Sequence, residues 1–200
     1  MSFLWGIFLG CGDPGAAVIG PEGPVAGLSS GGSLLGEYGD VPSFSLVDQD
    51  GRPFSSSNLA GKAWLADFFF TRCPDVCPVL SAKMAAIAAH YGAEPRLGYL
   101  SFSVDPANDT PVELAAYGAR FGVDAVRWKL LTGDSASMRA VVVDGFKLLM
   151  QTQPATDVKP ETVLHGSRFL LIDSQGRIRG YPDPHVAGEV ERYVDSLLGG

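Results

Sequence analysis

Two cysteines four residues apart, Cys73 and Cys77, are the densest chemistry in this 200-residue chain. A mostly apolar run, Trp64 to Phe70, leads into them, broken only by Asp67. It reads as a buried strand. Behind them Leu80-Ser81-Ala82-Lys83-Met84-Ala85-Ala86-Ile87-Ala88-Ala89 is a strong helix pattern. The pair therefore sits where a core strand gives way to a helix N-terminus. Unpaired N–H groups and the helix dipole favour a thiolate there. If the helix's first turn includes Cys73, the i, i+4 spacing places both sulfurs on one face. Two chemistries suit that arrangement: a reversible dithiol/disulfide, or two thiolates sharing one soft metal ion. Buried thiols can also be plain core filler, but Pro74 and Asp75 between them are poor interior residues. Economy argues the same way, since two of only three cysteines fall here.

A third donor has few candidates, because the chain holds only three histidines. His90 ends the helix after the thiols, where a cation is stabilised by the dipole. His185 follows Pro182-Asp183-Pro184 and reads as solvent-facing. His165 stands in Thr162-Val163-Leu164-His165-Gly166-Ser167, just before a hairpin pattern. The loop entering such a hairpin can overhang the dithiol; the alternative is a histidine that merely caps the strand end. Arg72, next to the first cysteine, lowers thiol pKa values by its charge and could attract an acidic partner. Asp75 is either a weak outer ligand or a brace for the loop through backbone N–H groups. Met150 is a soft thioether donor, though an edge-strand or core role suits it better.

The elements that must position these residues alternate in type. Ser43 to Val47 alternates polar and apolar, Asp48-Gln49-Asp50-Gly51 supplies a turn, and Arg52-Pro53-Phe54 returns, which makes an N-terminal β-hairpin. The central strand, Trp64–Phe70, follows, then a helix from about Pro78 to Tyr91 with Leu80, Met84 and Ile87 on one stripe. Leu97 to Val104 is a strand with apolar residues on both parities, as expected of a sheet covered on both faces. Asp109 or Thr110 caps a helix with Pro111 at its first position, and Gly122 stops it. Arg127 to Leu131 is a short strand, and Ser135 to about Val142 a helix. Phe146 to Met150 could be a strand, and Gln151 to Lys159 reads as a polar loop. Ser167–Asp173 and Arg177–Tyr181 form a second hairpin, and Val186–Leu198 a final helix. This order predicts an α/β domain of thioredoxin-like fold, a central mixed sheet flanked by helices, with an N-terminal β-hairpin extension.

Composition narrows the function classes. A net charge of −7 without any basic cluster excludes nonspecific nucleic-acid binding. Three cysteines are too few for a disulfide scaffold, and no Gly-rich nucleotide loop occurs. Residues 1–11 read as a truncated signal or anchor segment, because Phe8-Leu9-Gly10-Cys11 looks like the end of a bacterial lipoprotein signal. Residues 12–40, rich in Gly, Pro and Ser, read as a flexible linker, and 41–200 as the folded domain. Lipidation at Cys11 would tether the domain to a membrane.

Taken together, these pieces resemble the Sco/SenC family of copper-binding, thioredoxin-fold proteins that assist cytochrome c oxidase assembly. The resemblance is carried by Phe69-Phe70-Thr71-Arg72-Cys73-Pro74-Asp75-Val76-Cys77-Pro78 and the Lys83-Met84 that follows. Ser103-Val104-Asp105-Pro106-Ala107-Asn108-Asp109-Thr110-Pro111 and Trp128 before Leu131-Thr132-Gly133 add to it. So does His165, followed at four residues by Phe169 and then Leu171-Ile172-Asp173-Ser174-Gln175-Gly176. It spans about Val41 to Leu198. It implies Cys73, Cys77 and His165 as ligands of copper, as Cu(I) or Cu(II). The implied role is a metallochaperone whose partner is an apo Cu(A)-bearing oxidase subunit or another copper protein, supplied with electrons by a thioredoxin-like reductant. The implied setting is a monomer on the periplasmic side of the bacterial inner membrane. The same residues leave a thiol–disulfide oxidoreductase using Cys73 and Cys77 as its redox pair, or a copper or redox sensor, as alternatives. Three features depart from the family's commonest pattern: Arg72 stands where histidine is frequent, Gly166 follows His165, and the segment Val143 to Lys159 is long and apolar at Phe146 to Met150.

Overall fold

The computed structural model describes residues 34–146, 151–152, 163–164 and 167–199. Cys11, most of the expected linker, Met150 and His165 lie outside these residues.

The expected N-terminal hairpin is present. Ser45–Asp48 (β1) pairs antiparallel with Pro53–Ser55 (β2), and Asp48 shapes the turn by accepting from Asp50 N and Arg52 N at 3.0 and 2.9 Å. The apolar run becomes Ala63–Phe69 (β3), buried at all its positions. A helix, Val76–Tyr91 (α1), connects it to Leu97–Ser103 (β4), which lies parallel to β3 in register from Ala63↔Leu97 to Phe69↔Ser103. Pro111–Arg120 (α2) then leads to Trp128–Thr132 (β5), parallel to β4. Thr110 caps α2, its side chain accepting from Glu113 N.

Seven strands form one mixed sheet in the order β2-β1-β5-β4-β3-β8-β9, where β8 is Leu170–Ile172 and β9 Ile178–Gly180. β1 and β8 run antiparallel to β5 and β3 respectively. Period-two alternation sorts the β3 side chains into two cores. Trp64, Ala66 and Phe68 enter one with Leu46, Phe102, Leu131, Val142 and Phe146. Ala63, Leu65 and Phe69 enter the other with Leu80, Met84, Leu114, Tyr117 and both dithiol cysteines. The second core also takes Val190 and Val194 from the last helix, Glu189–Leu198 (α4). Cys73 and Cys77 thus belong to the face that carries α1, α2 and α4.

Three expectations need correction. Gln151–Thr152, expected within a polar loop, is a strand (β6) paired antiparallel with Val163–Leu164 (β7). Two-residue strands have no periodicity to read. Ser135–Arg139 (α3) continues past Val142 as a wider helical turn over Ala140–Gly145, so Phe146 closes a helix rather than opening a strand. Its ring packs on Phe68 and Phe102 at 5.3 and 5.5 Å. Finally, α4 begins at Glu189 and not Val186, because Gly188 before it takes a left-handed conformation with φ 70°.

Candidate functional site

Cys73 is delivered by a tight turn. Its N–H donates to Phe70 O at 3.2 Å, which makes Thr71 and Arg72 the central residues of a β-turn closing the end of β3. Helix α1 starts only at Val76, so Cys73 lies before the helix rather than in its first turn. The two cysteines are nonetheless brought together: Cys77 N donates to Cys73 Sγ at 3.4 Å. One orphan donor of the helix N-terminus thus points at a sulfur. No disulfide joins the two sulfurs, and both are buried, Cys73 at 9% exposure and Cys77 at 0%.

Burial has an electrostatic consequence that the sequence does not foretell. The expected thiolate-favouring shift does not hold at Cys77. Desolvation pushes its thiol well above the ordinary range, and the Cys73 side chain and the charge of Asp67 add to the rise. A backbone hydrogen bond from Phe70 opposes them without cancelling them.

Asp67 is the first residue that sequence reasoning passed over. It sits in β3 opposite Ser101 of β4, is 1% exposed, and neither carboxylate oxygen has a hydrogen-bond partner among the described residues. Desolvation raises its pKa to about 7, with the Ser101 hydroxyl working weakly the other way. Ser101 is itself engaged, accepting from Trp128 Nε1 at 2.9 Å. The only available signal was an acid interrupting an apolar strand six positions before the first thiol, with nothing in the sequence to show the link. Close by, Ser81 and Tyr117 join α1 to α2 through a buried 2.9 Å hydrogen bond.

Asp109 is the second. It is fully buried and accepts from Thr71 N at 3.2 Å, Thr71 Oγ1 at 2.5 Å and Ser103 Oγ at 2.6 Å. The sequence offered it as a helix cap; Thr110 is the cap, and Asp109 braces the dithiol turn instead.

The remaining expected residues fall as follows. Arg72 pairs with Asp105 at 2.8 Å, so its guanidinium is engaged within the chain while staying more than half exposed. Asp75 precedes α1 as its N-cap, yet among the described residues its exposed side chain makes no capping hydrogen bond, so of its two expected roles the brace is not seen. His90 is exposed at the end of α1 against the Tyr91 ring, and His185 is exposed with its N–H on Asp183. Of the three expected metal ligands, Cys73 and Cys77 come together, and His165 lies outside the described residues. The residue before it, Leu164, ends β7.

Two soft sulfur donors, adjacent and unoxidised at the C-terminal edge of a parallel sheet segment, match in type the donors a soft monovalent metal ion takes. The fold and this site define a class: a thioredoxin-like domain with a buried dithiol at the start of its first long helix.

Within that class the family is clear. The SCO1/SenC family model matches residues 37–197, and the chain belongs to that family. A SCO1 protein homolog of Bacillus subtilis is 34% identical over 141 residues, covering 70% of this chain and 71% of that one. Among solved structures, a SCO1/SenC family lipoprotein from Bacillus anthracis superposes with a TM-score of 0.71 at 33% identity, covering 80% of this chain and 95% of that one. Bradyrhizobium japonicum ScoI, solved with copper bound, has a TM-score of 0.69 at 27% identity and covers 78% and 97%. BsSco is described as a Sco-family cytochrome c oxidase assembly protein with a disulfide switch. It has a TM-score of 0.67 at 28% identity and covers 80% and 93%.

Proposed function

We propose that this chain is a copper metallochaperone that carries one copper ion on Cys73, Cys77 and His165 and delivers it to an apo Cu(A)-bearing oxidase subunit. The observation that carries the reading is the juxtaposition of two thiols not joined in a disulfide, with Cys77 N on Cys73 Sγ at 3.4 Å, in a family whose solved members include a copper-bound one.

The ion is cargo. On loading Cu(I), each thiol gives up its proton to solvent and forms one S–Cu bond, and the neutral imidazole of His165 donates a lone pair. Two thiolates and one imidazole suit Cu(I), which accepts low coordination numbers and soft donors. Delivery runs by ligand exchange: an acceptor thiolate replaces His165, a second replaces one cysteine, and the remaining sulfur is released and reprotonated.

The relative described with a disulfide switch supports a second reading, in which Cys73 and Cys77 cycle between dithiol and disulfide. Cys73, the more exposed sulfur, attacks an acceptor's disulfide and Cys77 resolves the mixed disulfide. A thioredoxin-like protein then returns two electrons and two protons. That activity would prepare an acceptor's cysteines for loading, so the two readings are compatible. Anchoring through a lipidated Cys11 would place both at the membrane face where the oxidase subunit lies. The Bacillus anthracis relative is described as a lipoprotein.

The test is anaerobic titration of the reduced chain with Cu(I) against a chromophoric competitor, with X-ray absorption on the product. The reading predicts one copper per chain in a two-sulfur, one-nitrogen environment and loss of the nitrogen scatterer in His165→Ala. A stoichiometry well below one, or a spectrum unchanged by that substitution, overturns it.

A further inference from the structure

The turn that presents Cys73 is packed at its ends, Phe70 and Cys73, but not at its centre. Arg72 and Pro74 are exposed and Thr71 is half-buried. What fixes the turn comes from 38 residues downstream. The segment 103–110, between β4 and α2, folds back on itself, with Asn108 N and Asp109 N both donating to Asp105 O at 3.0 and 2.9 Å. Its base is tied to the sheet, since Val104 N donates to Phe69 O at 2.8 Å. From this anchored loop two carboxylates reach the two central residues of the turn. Asp105 takes the exposed Arg72 guanidinium at 2.8 Å. Asp109, fully buried, takes both the N–H and the hydroxyl of Thr71, while its other side accepts from Ser103 Oγ.

The two carboxylates do different work. An ion pair with one partner more than half in solvent holds its geometry weakly. A buried carboxylate accepting from a backbone N–H and two hydroxyls is a stiff clamp, because each bond is strengthened by the low local dielectric and losing one leaves a buried acceptor short. Among the described residues Thr71 N donates only to the Asp109 carboxylate. A displacement of Thr71 moves Cys73 two residues on, and with it the sulfur that accepts from Cys77 N.

We propose that Asp109, acting through Thr71, is the positioning residue of the dithiol: it holds the Phe70–Cys73 turn so that the Cys73 sulfur rests against the first turn of α1. This rests on the copper reading only for its metal arm; the thiol arm stands on the geometry alone. Asp109 touches neither sulfur and takes no part in bond making. It sets where one of the two sulfurs waits.

The experiment compares Thr71→Val, Thr71→Ser and Ser103→Ala in the full chain. Thr71→Val and Ser103→Ala each remove one hydroxyl from the same carboxylate, but only the first lies on the dithiol turn. Two quantities are read on the reduced proteins: the dithiol–disulfide equilibrium against a glutathione redox buffer, and Cu(I) affinity by competition with bicinchoninate. Thr71→Val is expected to move the glutathione equilibrium toward disulfide by about tenfold, because the N–H···S contact favours the reduced form. It is expected to weaken Cu(I) by about tenfold, as loss of a group that orients a ligand does. Thr71→Ser keeps the hydroxyl and should match wild type, and Ser103→Ala should stay within about twofold of it in both. Asp109→Asn, isosteric and short of an acceptor, repeats the Thr71→Val result should that variant fold poorly. Equal effects from Thr71→Val and Ser103→Ala, or no effect from Thr71→Val, overturn the proposal. A wild-type chain that takes up no Cu(I) overturns the copper reading instead, and the glutathione measurement still decides this one.

Discussion

At the scale of single residues, the site is a compromise between burial and charge. Asp67 shows it most sharply. Its carboxyl is 1% exposed and unpartnered among the described residues, and burial holds its pKa near 7 against an ordinary 3.8. A carboxyl whose folded pKa is raised adds no penalty while both states are protonated. The cost appears as pH climbs from about 4 and is complete once pH passes the folded value. Over that interval the native state binds more protons than the unfolded one, so stability falls with rising pH. The full span corresponds to roughly 4 kcal/mol. We predict that Asp67→Asn gains stability over wild type by several kcal/mol between pH 5 and pH 8.5 in urea unfolding. Parallel stability curves for the two proteins would show that Asp67 does not titrate in this range. The same charge bears on Cys77, whose thiol already stands high through desolvation. The Cys77 sulfur is therefore hard to ionise without a cation beside it.

At the scale of elements, the sheet edge and the first helix place the sulfurs, and close packing fixes the sheet. Gly98 in β4 lies opposite Trp64 of β3, whose indole covers it and donates from Nε1 to Leu59 O at 2.9 Å. A Cβ at Gly98 would collide with that ring. Gly98→Ala is expected to cost about 1–3 kcal/mol by overpacking, read as a lowered melting temperature, whereas an unchanged melting point would mean the ring moves freely. Thr110→Ala, which removes the α2 cap, should cost about 1 kcal/mol. These elements were largely legible in the sequence. The apolar runs of β3 and β4, the Thr110-Pro111 start of α2 and the Gly176 turn between β8 and β9 each announce themselves through local chemistry. What was not legible depends on tertiary contact. β6 and β7 are two residues each and exist only as a pair. The turn before Cys73, and not the helix, brings the thiols together, and it owes its shape to Asp109 from a distant loop. The rise at Cys77 and at Asp67 comes from burial, which no spacing of residues encodes.

At the scale of the whole molecule, a seven-stranded sheet separates two cores. The dithiol lies at the margin of one of them, on the face with α1, α2 and α4. That arrangement keeps Cys77 dry and leaves Cys73, 9% exposed, beside the exposed Arg72, Pro74 and Asp75. No helix among the described residues is long and apolar enough to cross a membrane. The sheet and its two cores close without a metal, so copper-free and copper-loaded chains should give superimposable far-ultraviolet circular dichroism. A large gain of secondary structure on loading would contradict that. The most direct measurement of the central claim is sulfur- and nitrogen-resolved copper X-ray absorption on the anaerobically loaded, reduced chain. Two sulfurs and one nitrogen per copper, falling to two sulfurs alone in His165→Ala and to no bound copper in Cys73→Ser with Cys77→Ser, is the result predicted. Copper bound with full stoichiometry in the double cysteine variant would contradict it.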